Sequence, residues 1–301
     1  MVDITHKKVT LREATASAVV RVSREQTIQA IEEKKVPKGD VFEMSRAAGL
    51  LAVKKTPEML PDCHPLPIEY TGINYEIKGL EIHIQCTLKT IYKTGVEVEA
   101  MHGASVVALN LYDMLKPLDK GIEIEKIKLI EKKGGKSDTH TLKTKVKAAV
   151  VVCSDSISKG KKEDRAGKAI IENLDKWGIP IADYTIIPDE VDQIRSKVEA
   201  YKKEKISLII FTGGTGLSPR DQTPEALQPI IDKRIPGIEE ALRSYGQQRT
   251  PYAMLSRSVV GMSEDSLILA LPGSTKGAAQ SMEAIFPALL HVFDITKGKS
   301  H

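Results

Sequence analysis

The sequence has few aromatic residues, three cysteines and no long hydrophobic run. Aromatic residues make up 4% of its 301 residues, too few for stacking platforms, so we do not expect nucleic acid as a partner. The cysteines form no C-x-x-C pair, which argues against a disulfide framework or a structural zinc site and favours a reducing cytoplasm. Apolar runs such as Leu208–Phe211 and Leu267–Leu271 are far shorter than the roughly 20 residues of a membrane span. The first residues include no apolar signal core, so we expect a cytoplasmic protein without a membrane partner.

Length and charge both divide the chain. A length of 301 residues predicts two domains, each large enough for its own core. The net charge of +4 lies entirely in residues 1–150, much of it between Lys126 and Lys147. That run indicates either a solvated strand end followed by a linker or a positively charged surface that binds a polyphosphate. Residues 132–145 are rich in Lys, Gly, Ser and Thr, which is typical of a linker. We therefore predict a first domain at 1–137, a linker at 138–146 and a second domain at 147–301.

The first half has the pattern of an α+β domain. Alternating polar and apolar residues predict strands, and a period near 3.6 predicts helices. The strands are expected at Ala18–Val22, Ile68–Ile77, Leu80–Tyr92 and Ile122–Ile130. The helices are expected at Arg24–Lys34, from a cap at Asp40 to Lys54, and at Val98–Leu115. Lys78-Gly79, between two of the strands, predicts a hairpin.

The second half alternates strands with helices, which predicts a doubly wound α/β domain with a parallel sheet. Strands are expected at Ala148–Cys153, Tyr184–Ile187, Leu208–Phe211 and Leu267–Ala270. Helices are expected at Arg165–Trp177 and Val191–Lys203. Loops at the carboxyl ends of such strands are the expected ligand site.

Charged residues in the first half could meet an anionic ligand. Lys38 stands on a glycine turn before a helix, where an ammonium and free amides can bind an anion, although such a turn is often only structural. Asp113 and Lys116 are three residues apart on a helix and can pair, as in an ordinary surface ion pair. Glu97 and Glu99 would point to the same side if the chain enters its helix in an extended form.

His64 belongs to a loop that Pro65 makes rigid, so it is either a structural histidine or a functional one. Together with the charged residues, this loop resembles the cyclic pyranopterin monophosphate synthase (MoaC) family of molybdenum cofactor biosynthesis. The matching elements are Val2-Asp3-Ile4, Leu11-Arg12-Glu13-Ala14, Lys38-Gly39-Asp40-Val41-Phe42, Cys63-His64-Pro65-Leu66, Thr94-Gly95-Val96-Glu97-Val98-Glu99-Ala100, Tyr112-Asp113-Met114 and Gly134-Gly135-Lys136-Ser137. The resemblance implies a ferredoxin-like α+β fold, dimers grouped into a hexamer and an active site at the dimer interface. It also implies conversion of 3′,8-cyclo-7,8-dihydroguanosine 5′-triphosphate to cyclic pyranopterin monophosphate with loss of pyrophosphate.

The same resemblance assigns roles to matched residues. Lys38 and Lys116 match two essential lysines, His64 matches an essential loop histidine, and Asp113 matches their acidic partner, so all four are expected to be catalytic. The residues implied to bind substrate are Arg12, Cys63, Glu97, Glu99 and Lys136. A lysine packed near other cations can have a pKa lowered towards neutrality, which would suit it for proton transfer.

The second half has glycines and carboxylates at strand ends. Thr212-Gly213-Gly214-Thr215-Gly216 follows a buried strand, and its glycines would let backbone amides approach phosphates. Thr223 is a candidate helix cap before Pro224, which leaves Asp221 on the loop, where it could hold a metal bound to a triphosphate. Asp189 offers a second carboxylate at the end of another strand. The sequence has no G-x-x-x-x-G-K-[ST] motif, which excludes a Walker-type nucleotide site.

These motifs resemble the molybdopterin adenylyltransferase family (MogA/MoaB and the corresponding domain of gephyrin) over about residues 147–295. The matching elements are Val152-Cys153-Ser154-Asp155-Ser156, Glu163-Asp164-Arg165-Ala166-Gly167, Ile187-Pro188-Asp189, the block Thr212–Ala226, Leu255-Ser256-Arg257 and Leu271-Pro272-Gly273-Ser274. The resemblance implies transfer of AMP from Mg-ATP to the terminal phosphate of molybdopterin, with no tightly bound cofactor. Asp189 and Asp221 match the two essential carboxylates and are the candidate Mg²⁺ ligands. The residues implied to bind substrate are Ser154, Asp155, Gly213, Gly214, Thr215, Gly216 and Ser274. Thr275 departs from the family, which usually has proline at that position.

Three interpretations of the whole chain compete. The first is a bifunctional enzyme that acts on a cyclised GTP derivative, ATP and molybdopterin, and assembles as a homo-hexamer about a shared threefold axis. The second keeps the first half as an enzyme and makes the second half a molybdopterin-binding or scaffolding module without transferase activity. The carboxylate pair Asp189 and Asp221 favours catalysis over binding alone. The third, a regulatory protein that binds polyphosphate, would need neither His64 nor the carboxylate pair Glu97 and Glu99.

Overall fold

The computed structural model describes residues 1–135 and 146–296. The chain divides into two compact units, Met1–Thr139 and His140–His301, called here the first and second units. The predicted linker at 138–146 lies almost wholly outside the described residues, so its conformation stays a prediction. In the part of the chain that the structure describes, no helix is both long and apolar enough to cross a membrane.

The first unit is a four-stranded antiparallel sheet with helices packed against it. Its elements are β1 (Thr10–Arg21), α1 (Glu25–Glu32), α2 (Val41–Met59), β2 (Tyr70–Lys78), β3 (Glu81–Tyr92), α3 (Glu97–Leu115) and β4 (Glu123–Lys133). The strand order is β2-β3-β1-β4, and every neighbouring pair is antiparallel. This order, with the β-α-β-β-α-β succession formed when α1 and α2 together count as the first connection, confirms the predicted ferredoxin-like α+β fold.

The core of the first unit lies between the sheet and the long helices. Alternation along β1 directs Ala14, Ala16, Ala18 and Val20 inward, where all are fully or almost fully buried. The predicted strand at Ala18–Val22 is too short, because β1 pairs with β3 along its whole length. Apart from Leu11, the residues of β1 before Ala18 are small or polar, so they show no clear hydrophobic alternation.

The second unit is a mixed six-stranded sheet between two layers of helices. Its elements are β5 (Ala148–Cys153), α4 (Asp155–Ser158), α5 (Ala166–Lys176), β6 (Ile181–Ile187), α6 (Val191–Lys203), β7 (Leu208–Thr212), α7 (Thr223–Leu227), β8 (Lys233–Arg234), α8 (Pro236–Gln247), β9 (Val260–Ser263), β10 (Ser266–Leu271), α9 (Thr275–Ile285) and α10 (Val292–Ile295). Short 3-10 helices occur at Gln228–Ile230, Pro251–Leu255 and Ala288–His291.

The strand order of this sheet is β6-β5-β7-β10-β9-β8. The first four strands are parallel, as predicted, whereas β9 and β8 are antiparallel additions that the sequence analysis missed because each is very short. Helices α5, α8 and α9 cover one face, and α6 and α7 cover the other. The three-layer, doubly wound α/β fold is therefore confirmed, and its parallel strands end at one edge, where a ligand site is expected.

Candidate active sites

Two lysines converge on one carboxylate in the first unit. Asp40 caps α2 by accepting hydrogen bonds from two amides of the first turn, as predicted, and this fixes the turn on which Lys38 stands. The Lys38 Nζ donates to Asp113 Oδ2 at 2.6 Å and to the Asp113 carbonyl oxygen at 2.8 Å. The Lys116 Nζ lies 2.7 Å from Asp113 Oδ1. These three side chains, Lys38, Asp113 and Lys116, are called the lysine cluster.

The lysine cluster favours the charged forms of Asp113 and Lys116. Hydrogen bonds from Lys116 and Lys38 lower the pKa of Asp113 to about 2, so the carboxylate is ionised at neutral pH. Asp113 in turn raises the pKa of Lys116. The expectation of a lysine with a lowered pKa is therefore wrong for Lys116, because its close neighbour is an anion rather than another cation. Two ammonium groups against one carboxylate leave a positive charge that can bind a polyphosphate.

A second group of predicted residues, the histidine-loop cluster, consists of Cys63, His64 and Glu99. The Cys63 Sγ donates to Glu99 Oε1 at 3.1 Å, and Glu99 is only 2% exposed. Burial raises the pKa of Glu99, and burial together with Glu99 raises the pKa of Cys63 to about 12. Cys63 is thus a protonated hydrogen-bond donor and not a thiolate nucleophile. The His64 Nε2 lies 2.8 Å from the carbonyl oxygen of Val2.

Glu97 and Glu99 do not point to the same side, which contradicts the prediction. α3 begins at Glu97, so both residues are helical and lie about 200° apart around the helix axis. Glu97 lies 3.4 Å from Lys132 of β4, whereas the buried Glu99 contacts the half-buried Cys63. The prediction failed because it assumed that the chain stays extended through Glu99.

The lysine cluster and the histidine-loop cluster lie at opposite ends of α3. Glu99 is in its first turn and Asp113 in its last, so at 1.5 Å per residue their backbones are about 21 Å apart. Arg12 is tied to the end of β3, where it donates to the carbonyl oxygens of Tyr92 at 3.2 Å and Lys93 at 3.3 Å. Lys136 lies outside the described residues. One copy of the first unit therefore does not gather its predicted catalytic residues around one reacting bond.

In the second unit, a pocket of about 330 Å³ lies at the carboxyl ends of the parallel strands. Six predicted site residues line it: Ser154, Asp155, Asp189, Gly213, Gly214 and Asp221. Thr215, Gly216 and Ser274 are not among the described residues that line the pocket. Ser274 instead caps α9 by accepting a hydrogen bond from the Gly277 amide at 3.1 Å.

Two glycines let the backbone pack closely against the wall of this pocket. Gly213 and Gly214 have φ angles of +102° and +61°, which favour glycine. A Cβ on Gly213 would lie 2.2 Å from the carbonyl oxygen of Cys153. A Cβ on Gly214 would lie 2.2 Å from Asp189 Oδ2. A side chain at either position would therefore displace the wall of the pocket.

Burial and neighbouring carboxylates raise the proton affinity of Asp189 in this pocket. Burial, and then the charges of Asp221 and Asp155, raise the pKa of Asp189 despite hydrogen bonds to it. One of those bonds comes from the Thr223 hydroxyl at 3.2 Å. The prediction that Thr223 caps α7 is therefore wrong: Gln222 is the N-cap, and the Thr223 hydroxyl is used by Asp189. The Asp221 Oδ2 accepts a hydrogen bond from the Ser218 amide at 2.9 Å.

Arg220 is a pocket residue that the sequence analysis did not select. Its Nη2 lies 2.6 Å from Asp155 Oδ2, and among the described lining residues it is the only cation. Its place beside Asp221 in a conspicuous motif was the signal that could have found it. Within residues 1–135 and 146–296, no group of three or more His, Cys, Asp or Glu side chains is arranged to hold a metal. Asp189 and Asp221 would thus bind Mg²⁺ only together with ligands such as phosphate oxygens, as this metal often does.

Comparison with known proteins identifies both units. The MoaC family profile matches residues 1–135, and a profile described as "Probable molybdopterin binding domain" matches residues 149–291. A "Molybdenum cofactor biosynthesis bifunctional protein" of Chlorobaculum tepidum is 40% identical over 100% of this chain and 96% of its own length. A "Cyclic pyranopterin monophosphate synthase" of Aquifex aeolicus is 32% identical over 91% of this chain and 90% of its own length.

Among solved structures, the molybdopterin biosynthesis enzyme MoaB of Thermus thermophilus is 39% identical. The structural match covers 51% of this chain and 98% of the Thermus protein, with a TM-score of 0.49. The two profiles together span both units, and the similarity to the Chlorobaculum protein extends over the full chain. The chain therefore belongs to the family of bifunctional proteins of molybdenum cofactor biosynthesis.

Proposed function

We propose that the first unit converts 3′,8-cyclo-7,8-dihydroguanosine 5′-triphosphate to cyclic pyranopterin monophosphate and pyrophosphate. The lysine cluster is the observation that carries this proposal. Its two ammonium groups, 2.6 and 2.7 Å from the Asp113 carboxylate, can neutralise the triphosphate and the leaving pyrophosphate. Because Asp113 raises the pKa of Lys116, Lys116 acts as a phosphate ligand or a proton donor and not as a base. His64 is the candidate proton acceptor.

The proposed synthase site is shared between subunits of a hexamer. The separation of about 21 Å along α3 supports this, because a neighbouring copy can bring the two clusters together. Four apolar side chains on one face of α3 support it as well: Val98, Met101, Leu109 and Tyr112 are 44%, 36%, 58% and 38% exposed. Light scattering of the full chain tests the assembly. A monomer that retains full synthase activity would contradict the shared site.

The second unit transfers AMP from Mg-ATP to the terminal phosphate of molybdopterin. A phosphate oxygen of molybdopterin attacks the α-phosphorus of ATP, the bond to the β-phosphate oxygen breaks, and pyrophosphate leaves. The observation that carries this proposal is the pair Asp189 and Asp221 on the wall of one pocket. Carboxylates with phosphate oxygens suit Mg²⁺, and the glycine backbone at Gly213 and Gly214 leaves room for phosphates.

The alternative for the second unit is a molybdopterin-binding or scaffolding module. Pyrophosphate release by the full chain, measured with ATP in the presence and absence of molybdopterin, separates the two functions. We expect release that depends on molybdopterin. Binding of molybdopterin without ATP turnover would assign the second unit to binding alone. Separate incubation with the cyclised GTP derivative tests the first unit, whose proposed function fails if no pyrophosphate forms.

A further inference from the structure

The loop 213–222 of the second unit carries Asp221, and polar contacts such as the pair of Arg220 with Asp155 hold its exposed residues. Residues 216–220 are all exposed, so none of them anchors the loop by burying an apolar side chain. The Asp221 amide donates to the Ser218 carbonyl oxygen at 2.9 Å, and the Asp221 carboxylate accepts from the Ser218 amide at 2.9 Å. This tight turn fixes its own shape. It does not fix the position of the carboxylate relative to the pocket.

Arg257, just before β9, joins the turn to the rest of the unit. Its amide donates to the Thr215 carbonyl oxygen at 3.1 Å, and its Nε donates to the Gly216 carbonyl oxygen at 2.7 Å. Its Nη2 donates to the Asp221 carbonyl oxygen at 2.9 Å, and its Nη1 pairs with Glu225 of α7. A single guanidinium thus holds both ends of the turn and the helix that follows.

We propose that Arg257 is a positioning residue that holds the Asp221 carboxylate where it binds the Mg²⁺ carried by ATP. This inference rests on the function proposed above for the second unit. The planar guanidinium supplies donors in several fixed directions, which the single ammonium of a lysine cannot do. Reactive groups need placement to within about 0.5 Å, and loss of a residue that orients a metal ligand typically costs about 10–100-fold in metal affinity or activity.

The test compares the full-length wild type with Arg257→Ala. Hydrogen exchange of the Ser218, Arg220 and Asp221 amides should become faster in the variant, while β7 and β10 stay protected. Calorimetric titration of ATP at several Mg²⁺ concentrations should show a Mg²⁺ requirement raised about 10–100-fold. Arg195→Ala is the matched control, since Arg195 donates to the carbonyl oxygens of Ala226 at 3.1 Å and Glu225 at 3.4 Å in α7. Its Mg²⁺ requirement should equal that of the wild type.

Arg257→Lys keeps the charge but reaches fewer carbonyl oxygens, so its Mg²⁺ requirement should fall between wild type and Arg257→Ala. Added guanidinium ion should partly restore Arg257→Ala, which a purely global loss of stability would not allow. Unchanged hydrogen exchange of the turn in both Arg257 variants would contradict the proposal that Arg257 holds the turn in place. Faster exchange with an unchanged Mg²⁺ requirement overturns the positioning role. Binding of Mg-ATP by the wild type without AMP transfer contradicts the proposed function and leaves this inference standing.

Discussion

The candidate sites of the two units have opposite charge arrangements. In the first unit, two lysines share one carboxylate, Asp113, on an exposed surface. In the second, Asp155, Asp189 and Asp221 line a pocket whose one described cation, Arg220, is already paired. The lysine cluster can attract a polyphosphate directly, whereas the pocket would repel one that arrives without a metal ion. The two phosphate reactions proposed for this chain would therefore balance charge in two different ways.

The units also differ in how complete their sites are. The pocket of the second unit draws its lining from several strand ends within one chain. The two clusters of the first unit lie at opposite ends of α3, about 21 Å apart. We therefore expect assembly to matter more for the activity proposed for the first unit than for the one proposed for the second. Variants that affect one activity and spare the other are the sharpest test of this contrast.

The largest effect is expected in the lysine cluster. Lys38→Ala or Lys116→Ala removes an ammonium group from Asp113, and we expect synthase activity to fall about 10²–10⁴-fold with AMP transfer unchanged. Both activities are measured as pyrophosphate release in one preparation. Lys55→Ala is the control, because Lys55 forms an ion pair of the same length, 2.6 Å, with Glu58 on α2. Near-normal turnover in both cluster variants would remove the lysines from the mechanism.

Charge removal in the pocket should have the converse effect. Asp189→Asn and Asp221→Asn keep the shape but lose the charge proposed to bind Mg²⁺, so we expect AMP transfer to fall about 10²–10³-fold. Synthase activity should remain at the wild-type level. Asp192→Asn, an exposed position on α6, serves as the control. If both activities fall together, the units are coupled and the contrast between them is wrong.

The third-largest effect is expected on the stability of the first unit, when Asp119 is replaced. Asp119 is fully buried and accepts hydrogen bonds from the amides of Ser23 at 2.7 Å and Gly121 at 2.9 Å, and from the Thr27 hydroxyl at 3.1 Å. Asp119→Ala leaves these donors unpaired, which we expect to lower the free energy of unfolding by about 1–3 kcal/mol. Thermal unfolding should show a shift in the first unit alone. An equal shift in the second unit would mean that the two unfold together.

The pH dependence of this contribution has a definite sign. Burial alone would raise the pKa of Asp119, but the hydrogen bonds, led by those from Ser23, outweigh it and lower the pKa to about 2. The unfolded carboxyl has its ordinary value of 3.8, so the stabilisation is present above that pH and is lost as the pH falls towards 2. The difference between wild type and Asp119→Ala should therefore shrink between pH 4 and pH 2.

The smallest effect is expected in the pH profile of AMP transfer. Asp155 raises the pKa of Asp189, so Asp155→Asn should lower it and move the acid limb of the profile to lower pH. The synthase profile of the same variant should not move. A shift of the transferase limb to higher pH would show that Asp189 does not govern it.

Local hydrophobic patterns in the sequence predicted much of the fold. The helix predicted at Val191–Lys203 is found with those bounds, because its helical periodicity is strong. The buried strand predicted at Ala148–Cys153 is also found with those bounds, because it is a continuous apolar run. Short elements escaped detection, as β8 with its two residues did. Thr223 was misassigned because its hydroxyl could serve either a helix end or a carboxylate, and only Asp189, far away in the sequence, decides between them.

The sequence by itself determined the two-part organisation, the fold classes and the family, since periodicity and motifs are local properties of the chain. Only the tertiary structure decided which side chains meet. It separated Glu97 from Glu99, joined Arg220 to Asp155, and brought Arg257 to the turn of Asp221. Residues far apart in the sequence meet only after strand order and loop closure are set, and side-chain type does not encode those distances. Tertiary packing, and not composition, therefore decided which charged side chains lie together in each site.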